Sequence, residues 1–348
     1  MNRITEVTVT KLFGCDDNDY TVKFWQGCPV TFIYGRNGIG KTTLFRLISA
    51  VLSYDIKVLE SIQFELLKIK FDTEETLSVT KKKLPEFELE NDCSEDSDAV
   101  SEGNDVISDD NDVMYAYTWE DSNGKTESKV FLNEVDITPC DFPTKNVYVK
   151  LWYANPLHDP KVLETAEAEN NTDSGESTDG KYICYKVLDR MDDLQRKLKH
   201  FKAAGKTYKK RFKLFERIIN RKSYFVDKWF TVEDDGEVTL EVRQNEDDWQ
   251  EGCPLKILSP GEQNLFLLYF QLIFELPKKC PKNGMCLMMI DEPETSLYPE
   301  RLADFYDNLN YINEELGRYE NYQFLIATHS PLIAFRHNRM VTEMATDF

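Results

Sequence analysis

Long apolar runs are missing from this 348-residue chain: no stretch approaches the roughly 20 residues a helix needs to cross a bilayer. The N-terminus, MNRITEVTVT, lacks the basic head, apolar stretch and small-residue cleavage site of a secretory leader. The expected setting is therefore the cytoplasm, with no membrane partner. Histidine is scarce, at four residues, and the eight cysteines form no C-x-x-C pair, which excludes a zinc-like cluster and leaves reduced, structural thiols. Positive charge is in deficit as well. With 42 Lys and Arg against 62 Asp and Glu, a net charge of -20 excludes a protein that coats nucleic acid indiscriminately.

What charge there is falls unevenly. Residues Lys186 to Lys228 hold fifteen Lys or Arg against five Asp or Glu. In contrast, Leu89 to Asp112 (LENDCSEDSDAVSEGNDVISDDND) is acidic and nearly devoid of large apolar side chains. Such a segment cannot bury enough surface to offset chain entropy, so a solvated insertion is expected there. A lure for a basic partner, or a DNA mimic, is the other reading. Glu164 to Gly180 has the same polar character. The remaining chain, at 41% hydrophobic residues overall, is rich enough for a real core.

Patterning places strands at Ile4 to Lys11, Tyr20 to Trp25 and Val30 to Tyr34, then a helix over Thr42 to Tyr54 on the spacing of Leu44, Leu47, Ile48 and Val51. Alternating segments between Ile62 and Thr80 and between Val113 and Val135 predict antiparallel strands beside that core. Asn146 to Tyr153 reads as a buried strand, and Val187 to Lys228 as two helices broken near Gly205. Beyond them come a strand pair around Asp235 and Gly236 within Phe230 to Val242, a strand-like LKI, a helix from Glu262, a strand Met285 to Ile290, a helix Pro299 to Leu316 and a strand Gln323 to Ala327. Alternation of helix and strand predicts an α/β fold. The expected organisation is an N-terminal lobe over 1–160, interrupted by the acidic insertion at about 89–112. A polar loop and basic helical hairpin follow over 161–229, and a C-terminal lobe over 230–348.

Three motifs carry chemistry. Gly35 to Thr42 reads GRNGIGKT, a G-x-x-x-x-G-K-[ST] loop that leaves a strand and opens a helix. Glycines there let backbone N–H groups face phosphates, Lys41 reaches the β and γ phosphates, and Thr42 offers a hydroxyl to Mg²⁺. Gly35, Arg36, Asn37, Gly38, Gly40, Lys41, Thr42 and Thr43 are the expected ATP-binding residues. The second motif, CLMMIDEPE, ends a buried strand on Asp291 and Glu292. Asp291 is placed to hold Mg²⁺ with Thr42, and Glu292 to activate the attacking water. The third is LSPGEQ, Leu258 to Gln263, a helix N-terminus with a serine hydroxyl and glycine amides suited to an anion.

The order of phosphate loop, long insertion, LSPGEQ, DE strand and a strand ending in ATHS resembles the ABC ATPase superfamily. The wording DEPETSLYP and LSPGEQN is similar to its RecF, structural-maintenance and OLD branch, which includes ATPases of abortive-infection and Septu-type phage defence. The resemblance implies an ABC ATPase head: a P-loop core sheet, an antiparallel β subdomain and a helical-hairpin lobe. It also implies that Ser259, Gly261 and Glu262 meet nucleotide held by another copy, giving a head-to-tail homodimer or higher even-numbered oligomer. Ser296 and Leu297 fall at the family's D-loop, and His329 at the γ-phosphate-sensing switch. The family glutamine has Asn155 as its nearest candidate, and Pro260 replaces the first glycine of LSGGQ. The chain runs only 19 residues past His329, where OLD proteins continue into a nuclease domain.

The expected function is an Mg²⁺-dependent ATPase subunit that closes around ATP and regulates a partner effector, a nuclease or toxin, in bacterial anti-phage defence. The alternative is a RecF-like clamp that grips DNA through Lys186 to Lys228. In that reading Arg196, Lys199, Lys202, Lys206, Lys209, Lys210, Arg211, Lys213 and Arg217 line a phosphate backbone; otherwise they form the solvated face of a helical pair.

Overall fold

A five-stranded parallel sheet, in the order β15-β3-β14-β13-β9, divides the molecule into two hydrophobic cores. Its strands are β3 (Val30–Tyr34), β9 (Val147–Tyr153), β13 (Met285–Asp291), β14 (Tyr322–Thr328) and β15 (Val341–Glu343). The structure is a computed structural model and describes residues 3–27, 29–83, 113–132, 135–136, 147–153, 179–203, 208–221, 225, 227–245, 248–277, 284–296, 299–317, 322–331 and 341–344. The acidic segment 89–112, Asn155, Leu297, Lys206 and the break near Gly205 lie outside those residues.

The two central strands, MCLMMID and YQFLIAT, are buried at every position, as parallel strands covered on both faces must be. Alternation then sends their side chains to opposite cores. Met285, Leu287, Met289, Leu325 and Ala327 enter one, while Cys286, Met288, Ile290, Phe324 and Ile326 enter the other.

The first core contains helix α1 (Lys41–Ser53), whose Leu44, Leu47, Ile48 and Val51 are all fully buried. It also contains the inner face of a seven-stranded antiparallel sheet in the order β2-β1-β4-β5-β6-β7-β8. Those strands are β1 (Ile4–Thr10), β2 (Tyr20–Lys23), β4 (Leu66–Phe71), β5 (Thr76–Lys83), β6 (Val113–Glu120), β7 (Thr126–Leu132) and β8 (Val135–Asp136). The β1–β2 hairpin joins this antiparallel sheet, and the chain then runs from β2 into β3 of the parallel one. Short α2 (Ile56–Glu60) packs beside α1.

The second core is aromatic and helical. It draws on α3 (Asp179–Ala203), α4 (Lys209–Ile219), α5 (Pro260–Phe270) with a π turn over Gln271–Glu275, and α6 (Pro299–Leu316). A three-stranded sheet β10-β11-β12 (Lys228–Val232, Val238–Asn245 and Asp248–Cys253) closes it. Phe212 and Phe215 meet Phe274 edge-on at 4.8 and 5.5 Å, and Phe201 stacks on the same ring. Among the described residues no helix is long and apolar enough to cross a membrane.

Three expectations change and two strands are added. LKI is a 3-10 turn over Leu255–Ile257 rather than a strand; three apolar residues carry no period, and Pro254 ahead of them has no N–H to give a ladder. Helix α5 starts at Pro260, two residues before Glu262, because Ser259 caps it. Strand β9 pairs only with β13 among the described strands, and only its Trp152 is buried, so it is a half-covered edge rather than a buried strand. Strands β12 and β15 add pairings that patterning did not indicate.

Candidate functional site

The phosphate loop leaves β3 after Tyr34 and enters α1 at Lys41. Gly38 and Gly40 adopt φ of 83° and 104°, in the region L side chains rarely occupy. A Cβ at Gly40 would come within 3.0 Å of Leu12 and Phe13, so that glycine also permits a close approach. Arg36, Asn37 and Gly38 form the exposed tip, and Thr43 lies in the first helical turn. Lys41 is only 4% exposed. Its Nζ donates to the Gly35 and Arg36 carbonyls at 2.9 and 3.0 Å and lies 3.9 Å from Glu292 Oε1. Helix α1 has neither a side-chain cap nor an acid in its first turn, so its amides and this buried ammonium form a positive cradle that fits a phosphate.

Strand β13 delivers the acids. Asp291, 1% exposed, accepts a 2.7 Å hydrogen bond at Oδ2 from the Thr42 hydroxyl across 249 residues of sequence. These two hard oxygen ligands suit Mg²⁺. No group of three or more His, Cys, Asp or Glu arranged to hold a metal ion occurs among the described residues, so a metal here would complete its shell from phosphate and water. Glu292 turns the chain at φ 49°, an unusual conformation for a residue with a side chain. Its amide donates to Ala327 O at 3.0 Å, and its carbonyl accepts from the Thr295 amide and hydroxyl.

His329 follows the neighbouring strand β14, and its Nδ1 lies 3.7 Å from Glu292 Oε1 and 3.1 Å from Glu294 Oε1. Glu294 also accepts from the Thr328 hydroxyl and the His329 amide, both at 2.7 Å. The structure therefore brings Lys41, Thr42, Asp291, Glu292 and His329 together at the C-terminal end of the parallel sheet. Glu294 was not among the candidates from sequence. A third acid three residues after Asp291 was the only signal, and its partners lie on another strand. Ser296 ends the 3-10 turn Pro293–Ser296.

The signature segment is organised differently. Ser259 caps α5 through a reciprocal box, in which its Oγ accepts from the Glu262 amide while Glu262 Oε2 accepts from the Ser259 amide at 2.9 Å. Glu262 also pairs with Lys228 at 2.6 Å. Gly261 lies in the first turn between them. Among the described residues, no hydrogen bond or ion pair joins Ser259, Gly261 or Glu262 to the phosphate loop.

Much of the basic hairpin is already engaged within the chain. Lys199 pairs with Asp235 and Glu237, Lys202 donates to Glu233 O, and Lys210 pairs with Glu315. Arg217 donates to Tyr311, and Arg196 lies 3.6 Å from Asp193. Arg211 is 9% exposed and donates to Phe274 O at 2.8 Å, and burial lowers its pKa from the usual arginine value. It is a core residue and cannot line a duplex.

A family model described as "AAA domain, putative AbiEii toxin, Type IV TA system" matches residues 30–334, from β3 to just past His329. Solved structures also align over most of the chain. The Smc head domain with an extended coiled coil, bound to the C-terminal domain of ScpA and derived from Pyrococcus furiosus, covers 99% of this chain and 94% of its own at 13% identity and a TM-score of 0.40. RecF with ATP covers 94% of this chain and 92% of its own at 11% identity and a TM-score of 0.33. No curated protein matches the sequence.

Proposed function

This chain belongs to the AAA domain family whose model spans residues 30–334, and from that premise we propose that it binds and hydrolyses Mg²⁺-ATP in a site completed by a second copy. The observation that carries this reading is the 2.7 Å contact between Thr42 and Asp291 beside the buried Lys41 ammonium. It joins the phosphate cradle to the acidic strand end. When bound, Mg²⁺ supplies charge neutralisation between the phosphates. Lys41 gives up its loop carbonyls for phosphate oxygens, Glu292 takes a proton from the attacking water, and His329 meets the terminal phosphate. Ser259 and Gly261 of the second copy close the open side head to tail.

The regulated target is a partner effector, a nuclease or toxin, in anti-phage defence. The family description names a putative toxin and a toxin–antitoxin system, which is the setting this reading draws on. A DNA clamp draws less support, because most of the described hairpin bases already have partners in the chain. Phosphate release by purified protein with and without Mg²⁺, alongside its size with and without ATP, tests the core reading. Absence of turnover at any protein concentration overturns hydrolysis, and turnover by a strict monomer overturns the shared site. Filter binding to duplex DNA across a salt series tests the clamp, which needs a steep salt slope.

A further inference from the structure

Glu294 is the most constrained acid of the described site outside the proposed catalytic set. Its side chain is 7% exposed, and three donors converge on a single oxygen. Oε1 receives the Thr328 hydroxyl and the His329 amide, each at 2.7 Å, and faces His329 Nδ1 at 3.1 Å. Thr328 Oγ1 in turn accepts from the Ser330 amide at 3.0 Å, and the Thr328 carbonyl accepts from the Gly35 amide at 3.3 Å. The other oxygen, Oε2, is buried without a hydrogen-bond partner among the described residues. A buried carboxylate is costly unless it is paired and hydrogen-bonded, and here one oxygen carries all of that pairing. The arrangement ties the turn after β13, which carries Glu292, to the turn after β14, which carries His329, and through Thr328 to the first residue of the phosphate loop.

We infer that Glu294 is a positioning residue for ATP hydrolysis: it holds the Nδ1 edge of the His329 ring and so directs Nε2 to the nucleotide. His329 Nδ1 lies between two carboxylates, 3.1 Å from Glu294 and 3.7 Å from Glu292. Glu294 is the nearer of the two, and the same oxygen takes the His329 amide and the Thr328 hydroxyl, so it fixes the ring relative to its own backbone. A hydrogen-bonding partner fixes which ring nitrogen carries the proton and which is presented outward. The inference rests on the hydrolysis reading above.

The test is steady-state ATP turnover and ATP affinity of the full chain as wild type, E294Q, H329A and the E294Q/H329A double variant. The expected result for E294Q is a kcat lower by roughly 10- to 100-fold, the scale seen when the partner of a functional histidine is removed. ATP affinity should stay within about threefold, because Glu294 does not touch the nucleotide cradle. The double variant should be no slower than H329A, since a residue acting through another adds nothing once that residue is gone. Unchanged kcat in E294Q, or losses that multiply in the double variant, overturns the inference. Should E294Q fail to fold, E294D takes its place: its charge with a shorter reach must lower kcat and spare ATP affinity, and full activity counts against the role. A wild-type chain that binds ATP yet never turns it over defeats the hydrolysis reading and this one with it. Normal wild-type turnover with an unaffected E294Q defeats this one alone.

Discussion

The phosphate-loop end and the signature end of this molecule both present a helix N-terminus, and they differ in who supplies the anion. At α1 the cap is Gly40, with no side-chain cap and no acid in the first turn. The nearest negative charge to Lys41 is Glu292, 3.9 Å away. At α5 the chain supplies its own anion: Glu262 satisfies the Ser259 amide and hydroxyl and is itself balanced by Lys228. An uncapped N-terminus attracts an external anion, whereas a capped one must give up its carboxylate first. The α1 end is thus built to receive nucleotide unaided. In the proposed shared site, the α5 end would engage when a second copy presents a multiply charged phosphate able to displace Glu262.

The largest effect should come from the α1 end. Glu292→Gln is expected to lower turnover by roughly 10²- to 10⁴-fold while ATP still binds, trapping a closed dimer visible by size measurement in ATP. Unchanged turnover removes Glu292 as the base. Next, Ser259→Ala should lower turnover of the assembled protein by roughly 10²- to 10³-fold, as for loss of one donor to transition-state charge. ATP affinity of the isolated chain should not change, and mixing this variant with Lys41→Ala chains should restore at most one composite site. Weaker ATP binding by dilute Ser259→Ala chains would erase the distinction between the ends.

Lys41→Ala should weaken ATP binding by roughly 1.5–3 kcal/mol, about 10- to 150-fold, since it removes charged hydrogen bonds to phosphate. Equilibrium titration with a fluorescent ATP analogue reads this directly, and wild-type affinity would show that the buried ammonium is structural. The smallest effect is on folding. Ser259→Ala removes the cap of α5 and should cost about 1 kcal/mol in denaturant unfolding. A stability equal to wild type would mean that the capping box contributes nothing and that the hydroxyl is reserved for a ligand.

The phosphate loop and the DE strand were legible because each is a contiguous string whose local structure follows from its own residues. GRNGIGKT needs glycines at fixed offsets, and MCLMMID is apolar enough to be buried wherever it goes. Glu294 was not legible, because its partners Thr328 and His329 lie 34 and 35 residues away on the next strand. Strand β12 was missed because DWQEGC is exposed at every position but its last, so no alternation marks it, and only pairing with β11 makes it a strand. The basic hairpin was legible as a charge excess but not in its partners. Its charge excess is real, but Asp235, Glu237, Glu275 and Glu315 reach it from β-turns and helices distant in sequence.

By itself the sequence determined the α/β alternation, the loop that cradles phosphate, and the acids that end β13, because these depend on local spacing and on burial of continuous apolar strands. Only the tertiary structure decided how those parts meet. Parallel pairing of β13 with β14 aligns Asp291 with Ala327 and so brings the DEPE turn beside Thr328 and His329. Parallel pairing of β3 with β14 then sets the phosphate loop on the same edge. Hydrogen bonds such as Thr42 to Asp291, across 249 residues, exist because sheet register is fixed by which face each apolar side chain must bury.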